Sequence, residues 1–228
     1  MTRPWETLER VETGDGPLEL RRRRGPDERG PGDFLIVLAG RILMNSAADR
    51  SEAALAEHGC AALAARGDAR VLIGGLGMGI TLRAALDRLP QTATVQVAEL
   101  HPVIARWCRG PLAPVSGRGL ADPRVALFLG DVATCIGRAA AGPPNERFDA
   151  ILLDLYGGPG GVDDPVFGSA ALGLGRGALR RSGVLACWSE APEPHFEKRL
   201  QRAGFDVTRH RAGRGGRRHA ITVATATP

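Results

Sequence analysis

The sequence predicts an α/β fold: a mostly parallel sheet ending in an antiparallel hairpin, with a small antiparallel β unit in front. Three stretches predict it. Arg70 to Arg83, RVLIGGLGMGITLR, runs from an apolar strand (Val71, Leu72, Ile73) through the turn Gly74-Gly75-Leu76-Gly77-Met78-Gly79 into a helix-like segment, Ile80 to Leu89. From Arg70 onward, strand and helix patterns alternate, which implies parallel pairing. Phe205 to Arg211 and His219 to Ala226 then alternate around Gly213-Arg214-Gly215-Gly216, the pattern of an antiparallel hairpin.

Taken in order, residues 5–24 alternate apolar and polar around Gly14-Asp15-Gly16, a hairpin signature. After the loop 25–32, Phe34, Ile36 and Leu38 alternate in a strand, Ala39-Gly40 turns, and Ile42 to Met44 form another strand. These make an N-terminal β domain, residues 1–46, before a main domain, residues 47–228. Ser51 to Ala65 is rich in alanine and leucine and predicts a helix, with Glu52 in the first turn where the dipole favours it. Thr94 to Ala98 is a strand ending at Glu99, and His101 to Arg109 a helix with Pro102 at its start. Residues 110–123 read as a loop, followed by the strand Val125 to Leu129, Gly130-Asp131 and a short helix. Phe148 to Leu153 is apolar enough to be buried on both faces and ends at Asp154. A loop, Tyr156 to Asp164, opens a helix running to about Arg181; a strand, Gly183 to Trp188, and a helix, Pro194 to Ala203, come next.

The totals exclude several classes. A chain of 228 residues with 43% hydrophobic content buries a sizeable core, and no apolar run approaches the ~18 residues of a membrane span. MTRPWETLER lacks the apolar core of a secretion signal, and Cys60, Cys108, Cys135 and Cys187 show neither C-x-x-C nor metal-ligand spacing. Both features predict a cytoplasmic protein with reduced, buried cysteines and no metal. The net charge of +5 comes almost wholly from arginine, Lys198 being the single lysine, which fits codon bias in a GC-rich genome. The clusters Arg21–Arg24 and Arg209–Arg218 lack interleaved aromatics for base stacking, so nucleic acid is not the expected partner.

The glycine turn sets the chemistry. Glycine adopts positive φ and lets a ligand approach the backbone, and a parallel sheet binds ligands at the carboxyl ends of its strands. Glu99, Asp131 and Asp154 stand just past three such ends, and Glu99 lies about 20 residues beyond the glycines. A carboxylate there accepts both hydroxyl hydrogen bonds of an adenosine ribose, and Asp131 is placed for an adenine amino group or for capping the following helix. A nicotinamide dinucleotide is disfavoured, because the turn reads G-x-G-x-G where the fingerprint needs G-x-G-x-x-G.

GGLGMGITLR, AELHP, DPRVALFLGD and FDAILLDLYGGP, in that order and spacing, resemble the spermidine synthase (polyamine aminopropyltransferase) family. The resemblance implies a Rossmann-like, class I methyltransferase core, with a seven-stranded sheet and a small N-terminal β domain. It implies that Gly75, Gly77 and Gly79 line the methionine part of an S-adenosylmethionine-type donor, with Leu76, Met78 and Leu100 beside them. Glu99 would hold the ribose, Asp131 and Val132 the adenine, and Asp154 would face the reacting amine. Asp154 and Tyr156 are the catalytic candidates, with Tyr156 and Trp188 walling the acceptor pocket. A homodimer is the assembly the resemblance suggests.

The departures redirect the expected activity. The family turn reads GGGDGG, and its Asp grips the amino group of decarboxylated S-adenosylmethionine; here that position is Gly77. The second Asp of the family's D-S-x-D-P is absent from Asp154-Leu155-Tyr156-Gly157-Gly158-Pro159. The family's Tyr-His-Glu stretch, which also lines its acceptor pocket, falls at about Arg50-Ser51-Glu52 and keeps only the Glu, and the family's usual Asp after the second strand is His101. Without the Asp at Gly77, a carboxylate-bearing tail is not repelled, so intact S-adenosylmethionine is the expected donor. The expected function is transfer of a methyl or aminocarboxypropyl group to an amine of a small molecule. Aminopropyl transfer from the decarboxylated donor is the first alternative, and a non-catalytic nucleoside-binding protein of the same fold the second.

Overall fold

The computed structural model describes residues 4–25, 30–155, 157–161, 163–212 and 219–227. The chain opens with an antiparallel meander, β1 (Glu6–Thr13), β2 (Gly16–Arg23), β3 (Asp33–Leu38) and β4 (Arg41–Asn45), paired in that order. Alternation has its usual consequence here: Leu18, Leu20, Phe34 and Ile36 turn one face inward and are fully buried, in the same core as the main sheet. Glu9 also fastens the meander to the main domain. Its carboxylate accepts from Arg106 at 2.6 Å and from the Trp107 indole at 2.8 Å, which holds its pKa below the usual carboxylate range.

The main domain comprises α1 (Arg50–Gly59), β5 (Arg70–Gly74), α2 (Ile80–Leu86), β6 (Thr94–Glu99), α3 (Pro102–Arg109), α4 (Ala113–Ser116), β7 (Val125–Leu129), α5 (Val132–Ala141), β8 (Phe148–Leu153), α6 (Ser169–Gly177), β9 (Leu179–Ser189), α7 (Pro194–Arg202), β10 (Phe205–Ala212) and β11 (His219–Ala226). Its seven strands stand in the order β10-β11-β9-β8-β5-β6-β7. The five from β7 to β9 are parallel, and β11 inserts antiparallel between β9 and β10. Successive parallel strands run outward from β5 in both directions. The strand order therefore reverses between β5 and β8, where such sheets open a crevice.

Register decides what meets at that crevice. Gly74 of β5 pairs with Ala98 of β6 and Leu153 of β8, and Glu99 pairs with Leu129 of β7. Four strand ends are thus level, and the residues just beyond them share one edge. At the opposite edge, buried Asp149 accepts from the Arg70 N–H at 2.8 Å and from Arg180 at 3.0 Å, with Arg66 at 3.1 Å. An inaccessible carboxylate is tolerable there because cations and a backbone donor meet it.

Several expected bounds move for steric reasons. The first helix stops at Gly59 instead of continuing to Ala65, and 60–65 run on as turns. Gly59 lies against the sheet so closely that an added Cβ would collide with Leu152, so the chain passes the strands there and turns away. The loop 110–123 contains the short α4. The helix after Asp164 begins only at Ser169, because Asp164 first folds the chain by accepting from the Val166 and Phe167 N–H groups, each at 2.8 Å. The strand expected from Gly183 starts at Leu179, with a register shift where Ser182 takes positive φ. The turn expected at Gly213-Arg214-Gly215-Gly216 lies outside the described residues.

Leu152 is 0% exposed at the centre of the sheet, under α1. Leu152→Ala should lower unfolding free energy by about 2–5 kcal/mol, measured by urea denaturation, with the far-UV circular dichroism of the folded state unchanged.

Candidate functional site

The glycine turn is held from both sides. The Gly75 N–H donates to the Ala98 carbonyl at 2.9 Å, and the Asp154 N–H donates to the Gly74 carbonyl at the same distance. Gly75 has φ +87°, and a Cβ there would collide with the Asp154 carbonyl, so only glycine fits the approach of the two strand ends. Gly79, at φ +75°, begins α2, and a Cβ there would sit 2.7 Å from Ser116 Cβ.

Beyond the turn, between the main sheet and the N-terminal meander, lies a cavity of about 530 Å³. Gly75, Gly77, Glu99, Leu100, Asp131, Val132 and Asp154 all line it, as do Trp188 and Glu190. The three strand-end carboxylates thus do meet on one rim. Leu76 and Met78 face the core instead, 3% and 0% exposed, and neither they nor Gly79 line the cavity. The methionine that does line it is Met44 of β4, whose sulfur accepts from the Met78 N–H at 3.3 Å. Tyr156 lies outside the described residues.

Glu99 is 6% exposed and has a partner at each oxygen: Oε2 accepts from the Leu76 N–H at 2.9 Å and Oε1 from the His101 N–H at 2.8 Å. Each oxygen keeps lone-pair capacity towards the cavity, so two adjacent hydroxyl donors are matched. Asp131 combines the two roles considered for it. One oxygen caps α5 by accepting from the Ala133 N–H at 2.8 Å, and the residue still borders the cavity.

Asp154 is different. Thr81 Oγ1 donates to its Oδ2 at 2.7 Å, which favours the charged form, but burial and the nearby Glu52 carboxylate outweigh it. Its pKa is pushed up to about 7. Glu52, 8% exposed, borders the same cavity and is raised by burial as well, against the Ser51 hydroxyl that donates to it at 2.7 Å. Two carboxylates facing one cavity disfavour being charged together, and here the Glu52 charge adds to burial in raising Asp154. Glu52 is the group that strand-end spacing misses, because it arrives from α1, ahead of the glycine turn; the sequence shows it as an acidic residue in a first helical turn and as the Glu kept from the family's Tyr-His-Glu stretch.

Gly77 carries the other departure. With φ +50°, an added Cβ would collide with Met44 Sδ, so the thioether of β4 fills the space a side chain at 77 would need. Among the described residues, no group of three or more His, Cys, Asp or Glu is arranged to hold a metal ion. No described helix is long and apolar enough to cross a membrane.

Comparison with known proteins places the fold. No family model matches the chain. A spermidine synthase crystallised with the transition-state analogue AdoDATO superposes with a TM-score of 0.73 at 18% identity, covering 96% of this chain and 72% of that one. The spermidine synthase of Thermotoga maritima gives 0.74 at 17% identity over the same shares. The fold is that of the spermidine synthases. Human methyltransferase-like protein 13, solved with SAH, shares it more distantly, with a TM-score of 0.59 over 78% of this chain and 80% of that one. In sequence, putrescine N-methyltransferase 3 of Nicotiana tabacum is 33% identical over 126 residues, 54% of this chain but 30% of that protein. A polyamine aminopropyltransferase of Mycobacterium tuberculosis is 30% identical over 122 residues, 54% of this chain and 23% of its own length. The matched stretch therefore spans less than a third of either relative. Both are transferases by name, and the two differ in the group they are named for moving.

Because Thr81 donates to the ionised form of Asp154, removing the hydroxyl must raise the pKa. Thr81→Val should move the Asp154 titration midpoint above 7, read by carboxyl carbon NMR.

Proposed function

We propose that this chain is a transferase that moves a methyl group, or the aminocarboxypropyl group, from S-adenosylmethionine to an amine of a small molecule. The observation that carries the proposal is the filling of the Gly77 space by Met44. A carboxylate at that position would repel an intact amino-acid tail, whereas a neutral thioether accepts it. In this reading residues 1–46 form a β domain over the pocket. Glu99 accepts from the ribose hydroxyls, Asp131 and Val132 meet the adenine, Gly75 and Gly77 admit the donor's tail, and Leu100 flanks it. Leu76 contributes through its N–H to Glu99, and Met78 through its N–H to Met44. The relatives named for putrescine and for polyamines support a small cationic amine as acceptor, and Glu52, Asp154 and Glu190 supply negative charge at the cavity for it.

The donor supplies the leaving group, since a sulfonium departs as a neutral thioether. The protein's work is alignment of nitrogen, carbon and sulfur, where orientation alone contributes up to ~7–11 kcal/mol. An ammonium cannot attack, so one N–H bond must break first. Asp154, with its pKa near that of a working base, takes this proton and leaves the electron pair on nitrogen. Trp188 walls the acceptor side.

Aminopropyl transfer from the decarboxylated donor is the second reading. One observation favours it: Asp15, from the β1–β2 turn, also borders the cavity and offers a carboxylate that Gly77 lacks. Calorimetry with both donors decides between them. The intact donor should bind more tightly, and preference for the decarboxylated one would reverse the assignment. Met44→Ala combined with Gly77→Asp should turn preference towards the decarboxylated donor, whereas Gly77→Asp alone should weaken both because Met44 obstructs the new side chain.

Two further outcomes concern Asp154. Asp154→Asn should leave donor affinity nearly unchanged and lower turnover at least ~10-fold in a methyl-transfer assay. An acid whose pKa is raised stays protonated below that value and accepts protons only above it. Single-turnover rate should therefore climb as pH rises through about 7 and level off beyond.

A further inference from the structure

His219, from the last strand, meets the first turn of α1. Its Nδ1 lies 2.9 Å from Ser51 Oγ, across 168 positions of sequence, and Ser51 Oγ donates to Glu52 Oε2 at 2.7 Å. Ser51 is 4% exposed and Glu52 8% exposed, and Glu52 borders the cavity. His219 at the other end is only half-buried, with its ring edge-on to Trp188 at 4.8 Å. The line therefore runs from the cavity to a partly solvated ring.

A hydroxyl carries one proton, so the line has two consistent orientations. With Glu52 ionised, Ser51 donates to Glu52 and the ring donates from Nδ1–H to Ser51. With Glu52 protonated, Glu52 donates to Ser51 and Ser51 donates to an unprotonated Nδ1. The two differ by one proton carried the whole length of the line. Glu52 is the group that must exchange it. Burial and Asp49 at the cap of α1 oppose its charge, while Ser51 and His219 favour it; Glu52 in turn raises Asp154 at the end of β8, which Thr81 of α2 engages.

We propose that Glu52, Ser51 and His219 form a proton exit from the cavity. The proposal rests on the amine-transferase reading and deepens it. The N–H bond of the bound ammonium breaks, its electron pair stays on nitrogen, and the proton enters the Asp154–Glu52 pair. Glu52 then passes a proton to Ser51 Oγ as Ser51 passes its own to His219 Nδ1, and the imidazolium releases one to water. Net transfer to an ammonium acceptor liberates one proton per turnover, which is the proton the line removes. Asp154 touches the reacting amine, whereas Ser51 and His219 act through Glu52.

The test compares Ser51→Ala, Ser51→Thr and His219→Phe with wild type, using S-adenosylmethionine and a panel of linear diamines. The phenyl ring keeps contact with Trp188 but has no ring nitrogen. Ser51→Ala and His219→Phe should lower kcat by ~10-fold or more, with donor Kd, diamine KM and Tm close to wild type. Each substitution removes a group that favours ionised Glu52, so the kcat–pH profile should also shift to higher pH. Ser51→Thr, which keeps the hydroxyl, should restore both. Wild-type kcat and pH profile in Ser51→Ala would overturn the relay alone, as would a loss expressed only in donor affinity or Tm. If wild type moves no group from S-adenosylmethionine to any diamine, the transferase reading falls and the relay falls with it.

Discussion

The cavity depends on the Glu99 carboxylate and the two backbone N–H groups it holds. One belongs to the glycine turn after β5 and the other to the start of α3 after β6, so the carboxylate joins two strand ends that pair only through their registers. Hydrogen bonds to a charged acceptor are stronger than neutral ones, and here they are nearly out of solvent. The same contact that fixes the turn leaves both oxygens aimed with spare lone pairs. In the proposed function, structure and recognition therefore share one residue, and a substitution at Glu99 would disturb both.

Charge is the second constraint. Asp154 and Glu52 come from opposite sides of the glycine turn in the chain, one at the end of β8 and one on α1, and the Glu52 charge makes Asp154 harder to ionise. In water such repulsion is weak, but burial removes the screening. Thr81 offsets it for Asp154 and Ser51 for Glu52, each with one short hydrogen bond. The result is a carboxylate with a pKa of about 7, which under the proposed function suits an amine that must lose a proton before it can attack.

The N-terminal meander completes what the main sheet leaves open. Leu18, Ile36, Leu38, Leu43 and Met44 bring apolar lining from the meander to the cavity that the strand-end carboxylates border. Glu9 anchors the meander to α3 through Arg106 and Trp107, and Met44 reaches the glycine turn directly. A pocket lined by both carboxylates and apolar side chains is what the proposed donor, with its sulfonium and adenine ring, would need.

Much of this was legible in the residues themselves. Apolar periodicity placed the strands, the glycine turn marked the crevice, and Glu99, Asp131 and Asp154 came after it at strand ends, because register in a parallel sheet makes those ends level. Element bounds were less legible, as at Gly59, where close approach to Leu152 ends a helix that alanine and leucine would have continued. Side-chain direction inside the turn was not legible at all: Met78 points to the core, and Met44, thirty-four positions earlier, takes the pocket. Nor could the sequence bring His219 to Ser51 or Thr81 to Asp154. Those contacts join elements distant in the chain, and their distances depend on how helix, sheet and meander pack. The sequence by itself determined which chemical groups stand at the strand ends; tertiary packing decided which of them lose water and face like charge.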